Sequence, residues 1–228
     1  FSLELTMEQN SMYQSASAGT AIEINKVLRN TYTLLAMTLT FSAVIAGLSS
    51  AMNLPHPGLI ISLIGVYGLM FLVHKTAESS FGIVSCFAFT GFLGYITGPL
   101  INMAIGVGGG ELVAFAMGGT AIIFFSLSAY VLTTRKDMSF MGGMMGALVI
   151  VVLIAMVANW FLTIPALGLA VSSLFILLAS GMILMQTSEI IHGGERNYVL
   201  ATLTLFVAIY NLFTSLLHLL MAFAGGDD

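Results

Sequence analysis

The sequence predicts an all-α membrane protein, a bundle of seven transmembrane helices with a cytoplasmic amino terminus and a periplasmic carboxyl terminus. Three observations predict it. Hydrophobic residues make up 58% of the 228 positions and charged residues only 7%, against about 25% charged in an ordinary soluble domain. Seven apolar stretches follow one another, each long enough to cross a hydrocarbon core of about 30 Å at about 1.5 Å per residue. All six Lys and Arg residues fall outside the stretches, two before the first and four between later ones, in a way that puts them on one side.

A water-facing surface cannot be made from 6 basic and 10 acidic residues on this length of chain, so the partner for most of the surface is the lipid bilayer. The scattered cations give no footprint for nucleic acid. The single cysteine, Cys86, lies in an apolar run. It excludes an intrachain disulfide and reads as a small buried apolar residue.

Residues 1–25 read as a flexible cytoplasmic tail, because Ser, Gln, Asn, Thr and Glu dominate and no apolar face repeats. They also lack the apolar core and small-residue cleavage site of a leader. Residues 26–228 read as one seven-helix domain. The first helix is expected over 30–52, ending at NLPHP. The second is expected over 57–74, with Pro57 in its first turn, where a missing N–H costs nothing. The third, over 81–105, carries Gly91, Gly94, Gly98 and Pro99; the proline is expected to kink or end it locally. The fourth, over 112–133, follows VGGGE. The fifth spans 139–162, and a short TIP turn leads to the sixth, over 166–191. The turn HGGERN leads to the seventh, over 198–224. The pairs Gly94/Gly98 and Gly142/Gly146 have the small-xxx-small spacing of close helix packing.

With seven crossings, Lys26, Arg29, Lys75, Arg135, Lys136 and Arg196 all share one side. Positive loops stay in the cytoplasm, and one helix more or fewer in the middle would split the set.

Polar groups within lipid are costly and each needs a reason. The candidates for a polar path or a gate between the last two helices are Gln186, Glu189, His192, Asn211 and His218. Gln186, Glu189 and His192 recur every third position along helix six. Asn211 and His218, seven apart, share a face of helix seven. Glu189 reads either as an interfacial carboxylate or as a buried titratable group. His218 reads either as a packed, hydrogen-bonded ring or as part of a polar path, and Asn211 as an interhelical anchor. Enzyme readings fail: there is no HExxH and no metal-ligand spacing, and no Asp within a span. No mid-helix lysine is present to hold retinal. No catalytic residue, metal or cofactor is expected.

The stretch SAYVLTTRKDMSFMGG contains Thr133, Thr134, Arg135, Lys136 and Asp137. It resembles the signature loop of the Bax inhibitor-1 family. FTGFLGYITGPL in helix three and QTSEIIHGGERNYVLATLTLFVAIYNLF across helices six and seven are also similar to that family. The resemblance covers residues 26–222. NKVLRNTYTLLAMTLTFSA, LIGVYGLMFL and IIHGGE look like its proteobacterial branch, the modulators of the FtsH protease.

The resemblance implies a seven-helix fold with the last helix central, ringed by the others. For several members it implies a pH-sensitive calcium or proton leak, gated by an aspartate pair on helices six and seven. Here Gln186 and Ala208 stand at those two positions. Neither titrates, so the carboxylate gate is expected to be missing. For the branch, the resemblance implies a non-enzymatic inner-membrane regulator that binds FtsH, with HflK and HflC, and slows proteolysis as a slow, competing substrate. A 25-residue cytoplasmic tail extends to roughly 80–90 Å, enough to enter a membrane-anchored protease.

Overall fold

A computed structural model describes residues 21–162 and 164–225. It contains seven helices: α1 (Ser2–Ala51), α2 (Leu59–Thr76), α3 (Phe81–Gly108), α4 (Gly110–Thr134), α5 (Met141–Leu162), α6 (Pro165–Ile191) and α7 (Tyr198–Ala224). No strand occurs among the described residues. Each helix has a span long and apolar enough to cross a membrane, that of α1 being Ala21–Ala51. Residues 21–25, expected in the tail, are therefore already helical; the rest of the expected tail lies outside the described residues.

The breaks have local causes. Pro165 opens α6 at its first turn, where its absent N–H has no intrahelical partner to lose. Gly109, at φ 77°, lets α3 turn directly into α4; a Cβ disfavours that backbone. Arg135 adopts the left-handed conformation at φ 50° and ends α4, with its N–H on the Val131 carbonyl. The Asn197 side chain accepts the N–H groups of Val199 and Leu200 and so caps α7.

Antiparallel alternation brings the α2–α3, α4–α5 and α6–α7 turns to one end of the bundle, beside the start of the α1 span. All six cations lie at that basic end.

Helix α7 sits in the middle and touches α1, α2, α3, α4 and α6. Its buried face (Val199, Leu203, Phe206 and Leu212, with others) joins Leu35, Phe89 and Ile183 in the core, while Leu217 and Met221 pack with Ala104 and Ala116 in a smaller cluster. Phe89 and Phe206 meet edge to face with centroids 6.4 Å apart. The ring implied by the resemblance is incomplete, because among the described residues the backbone of α5 approaches that of α6 and not that of α7. Most large side chains of α2 and α5 are exposed, as expected of helices solvated by lipid.

The tightest pair is α1 with α3. A Cβ on Gly94 would overlap the Ser42 carbonyl oxygen, and one on Gly98 would overlap the Ser49 side chain. The small-residue reading therefore holds for Gly94 and Gly98. It does not hold within the chain for the second pair: a Cβ on Gly146 would meet nothing within 4 Å, and one on Gly142 only the tip of Met185 at 3.8 Å. The lipid-facing position of α5 explains this.

Pro99 does not end α3, which runs on to Gly108. The proline cannot donate to the Tyr95 carbonyl, four residues back. Ser49 Oγ on α1 donates to that oxygen instead, at 2.9 Å.

Candidate functional site

The signature loop is built from short-range bonds at the basic end. The Thr133 and Thr134 hydroxyls donate to the Ala129 and Tyr130 carbonyls, both at 2.7 Å, and satisfy the last turn of α4. Lys136 Nζ lies 5.9 Å from the Tyr130 ring centroid, within cation–π range. Asp137 Oδ1 accepts the Ser139 N–H at 2.8 Å just before α5 begins. The backbone N–H of Ser139, then its hydroxyl, hold the exposed Asp137 carboxyl below its ordinary value; proximity to His192 adds to this.

This loop is fastened to the end of α6 by a residue the sequence did not single out. Ser188 is buried. Its Oγ accepts the Met138 N–H at 3.0 Å and donates to the Lys136 carbonyl at 3.3 Å. His192 lies one turn further on and bridges the same two segments: Nδ1 is 2.8 Å from the Ser188 carbonyl oxygen and Nε2 is 3.2 Å from that of Arg135. Glu189 is exposed beside them. With Asp137 and His192 it lines a small open cavity of about 200 Å³.

Asn197 is a second tie that sequence reasoning passed over, although Asn immediately before an apolar periodic run is a helix-start signal. Besides capping α7, its Nδ2 donates to the Ala77 carbonyl between α2 and α3 at 3.1 Å. The Thr202 hydroxyl, which donates to the Tyr198 carbonyl of its own helix at 2.7 Å, also reaches the Thr31 carbonyl on α1 at 3.2 Å. The basic end is thus cross-linked from α6 to the α4–α5 loop, from α7 to the α2–α3 turn, and from α7 to α1.

The five polar candidates do not form one cluster. Glu189 and His192 belong to the basic end. Gln186 is buried with its Nε2 unpartnered among the described residues, and Ala208 is fully buried. Asn211 and His218 line a separate cleft toward the other end of the bundle, with Asn159 and residues of α6. Packed side chains, among them Ile183, Phe206 and Leu212, fill the core. Among the described residues no three His, Cys, Asp or Glu side chains are placed to hold a metal ion. Cys86 is free and buried.

Comparison with known proteins connects this architecture to relatives. The family described as "Inhibitor of apoptosis-promoting Bax1" matches residues 24–225. The "Modulator of FtsH protease YccA" of Escherichia coli strain K12 is 60% identical over 206 residues, covering 90% of this chain and 94% of that protein. The "Inner membrane protein YccA" of Escherichia coli O6:H1 matches to the same extent. An uncharacterized protein of Pseudomonas aeruginosa is 53% identical over 222 residues, covering 96% of this chain and all of that one.

Proposed function

This chain belongs to the Bax inhibitor-1 family and is a multi-pass protein of the bacterial inner membrane, and from that premise we propose that it is a non-catalytic regulator of the FtsH protease. The observation that carries the reading is the 60% identity, over nearly the whole of both chains, with a protein named for modulating FtsH. In this reading the basic end faces the cytoplasm, in keeping with the positive-inside rule, and a protease that pulls on tails engages residues 1–20 there.

Extraction from that end meets resistance at once. Pulling α1 breaks the Thr202–Thr31 tie and drags its interface with α3 apart at Gly94 and Gly98. Each backbone polar group stripped of its partner in lipid costs several kcal/mol. A chain that engages readily and unfolds slowly occupies the protease and spares other membrane proteins. HflK and HflC are the further partners of this reading.

Deletion of residues 1–20 tests the mechanism. The truncated bundle should still insert, but should be neither degraded by FtsH nor able to slow degradation of a second membrane substrate. Undiminished inhibition by the truncated protein would refute tail engagement. Purification in mild detergent should recover FtsH with HflK and HflC.

The alternative, a pH-sensitive calcium or proton leak, has less support. Gln186 and Ala208 cannot share a proton, Glu189 is exposed, and the basic-end and far-end polar groups are separate. Reconstituted vesicles with no calcium or proton flux above protein-free controls between about pH 6 and 8 would remove it; a flux lost on Glu189→Gln would restore it.

A further inference from the structure

At the end of the bundle away from the cations, α5, α6 and α7 enclose an open cleft of about 460 Å³. Among the described residues the backbones of α5 and α7 stay apart, and the cleft lies between them with α6 as its floor. Its depth follows from α7. His218 and Ala222 lie near the last turns, while Asn211 is thirteen residues from either end of Tyr198–Ala224. At about 1.5 Å per residue the cleft reaches roughly 20 Å inward, to the bilayer midplane.

Six polar side chains line it: Asn159, Ser172, Asn211, Thr214, Ser215 and His218. Asn159 Oδ1 is buried with no hydrogen-bond partner. Ser172 and Thr214 bond back to their own helices, while Asn211, half-buried, and His218, exposed, line the cleft. An unmatched carboxamide is unfavourable in hydrocarbon, most of all at the depth of Asn211. Something with donors and acceptors must therefore fill the space, which far exceeds the ~15 Å³ that one water needs.

The wall also defines the ligand. It holds no Asp, Glu, Lys or Arg, so no fixed charge is there to balance that of an ion, and a neutral ligand suits it better. Carboxamides and hydroxyls both donate and accept, and the Phe175 ring and Leu169 supply an apolar platform. The volume falls within the range of small-molecule sites, about 300–1,000 Å³.

We propose that this cleft is a hydrated binding site, open at the face bearing the α5–α6 turn, for a small uncharged polyhydroxylated solute. Asn211 at its floor and Asn159 nearer its mouth offer the ligand hydrogen bonds, and α5 forms the outer wall, held against α6. The site is independent of FtsH binding.

The test is thiol accessibility in sealed membrane vesicles of both orientations. In a Cys86→Ala background, Ser172→Cys and Ser215→Cys are treated with a membrane-impermeant methanethiosulfonate. Both should react from the face bearing the α5–α6 turn and roughly tenfold more slowly from the other, where the packed core intervenes. Xylitol should slow the Ser215→Cys reaction by at least roughly threefold, as near-saturating occupancy of a protecting site would; osmotically matched KCl or CaCl2 should not. Asn211→Leu should leave labelling intact and abolish the protection, and Asn159→Leu should do the same if Asn211→Leu does not insert. No labelling from either face would mean a dry or acyl-filled gap. Equal labelling from both faces would mean a through-pore. Protection by salt but not xylitol would mean the wrong ligand class. Each of these results overturns the proposal.

Discussion

Ser49 on α1 donates its hydroxyl to the Tyr95 carbonyl at 2.9 Å, the acceptor that Pro99 leaves without an intrahelical donor. One side chain thus repairs the third helix and fixes its contact with the first, because the same serine fills the space over Gly98. The repair explains why α3 is continuous through a proline that by itself would break it.

The first prediction concerns this pair. Ser49→Ala should destabilise the bundle by about 1–3 kcal/mol, the cost of a buried polar group left unpaired. Pro99→Ala restores the N–H, so in that background Ser49→Ala should cost clearly less. A double-mutant cycle on thermal unfolding in detergent measures the coupling; additive effects would refute the repair.

Glycine substitutions should separate packed from lipid-facing positions. Gly94→Val drives a side chain into the Ser42 backbone and should cost about 1–3 kcal/mol or more. Gly143 is exposed on α5 with no neighbour within 4 Å. There, Gly143→Ala should be neutral or stabilise by up to about 1 kcal/mol through helix propensity. Melting temperatures of the two variants provide the check.

Asn197 serves two elements with one amide. Asn197→Ala removes the cap on α7 and the donor to Ala77, and should cost about 1–2 kcal/mol or more. Asn197→Asp keeps the capping oxygen and loses the donor, so its melting temperature should fall between those of the alanine variant and the parent. If the aspartate variant proves as unstable as the alanine one, the tie to Ala77 dominates.

Asp137 supplies a pH dependence at the signature loop. Its carboxyl lies below the ordinary value of 3.8 because it accepts the Ser139 N–H. Its contribution is therefore complete above that ordinary value and is lost as pH falls through the lower folded one. Hydrogen exchange at the Ser139 amide, corrected for the intrinsic rate, should lose protection as pH falls below about 4. Asp137→Asn keeps an acceptor but removes the titration, so the pH dependence should vanish.

The candidate site was only partly legible. Glu189, His192, Asn211 and His218 stand out because a polar residue in an apolar run is visible without any fold. Their division between two ends of the bundle was not, because helical spacing places residues on a face without saying what faces them. Ser188 carried no signal: a serine two positions after Gln186 reads like the other hydroxyls in these helices until Met138, fifty residues away, is seen to donate to it. Asn197 did carry one, as a cap before Tyr198.

Seven crossings, their bounds to within a few residues except the start of α1, and the confinement of every cation to one end follow from the sequence by itself. Each is set by runs of neighbouring residues whose summed transfer energy either does or does not suit hydrocarbon. Which helix is central, that α5 stands outside the ring, that Gly98 is packed while Gly146 is bare, and that Ser49 completes α3 were decided only by the tertiary structure. The physical reason is that lipid is as apolar as the protein core: a leucine facing acyl chains and one facing another helix are equally favourable, so the sequence of a span leaves its partners unspecified.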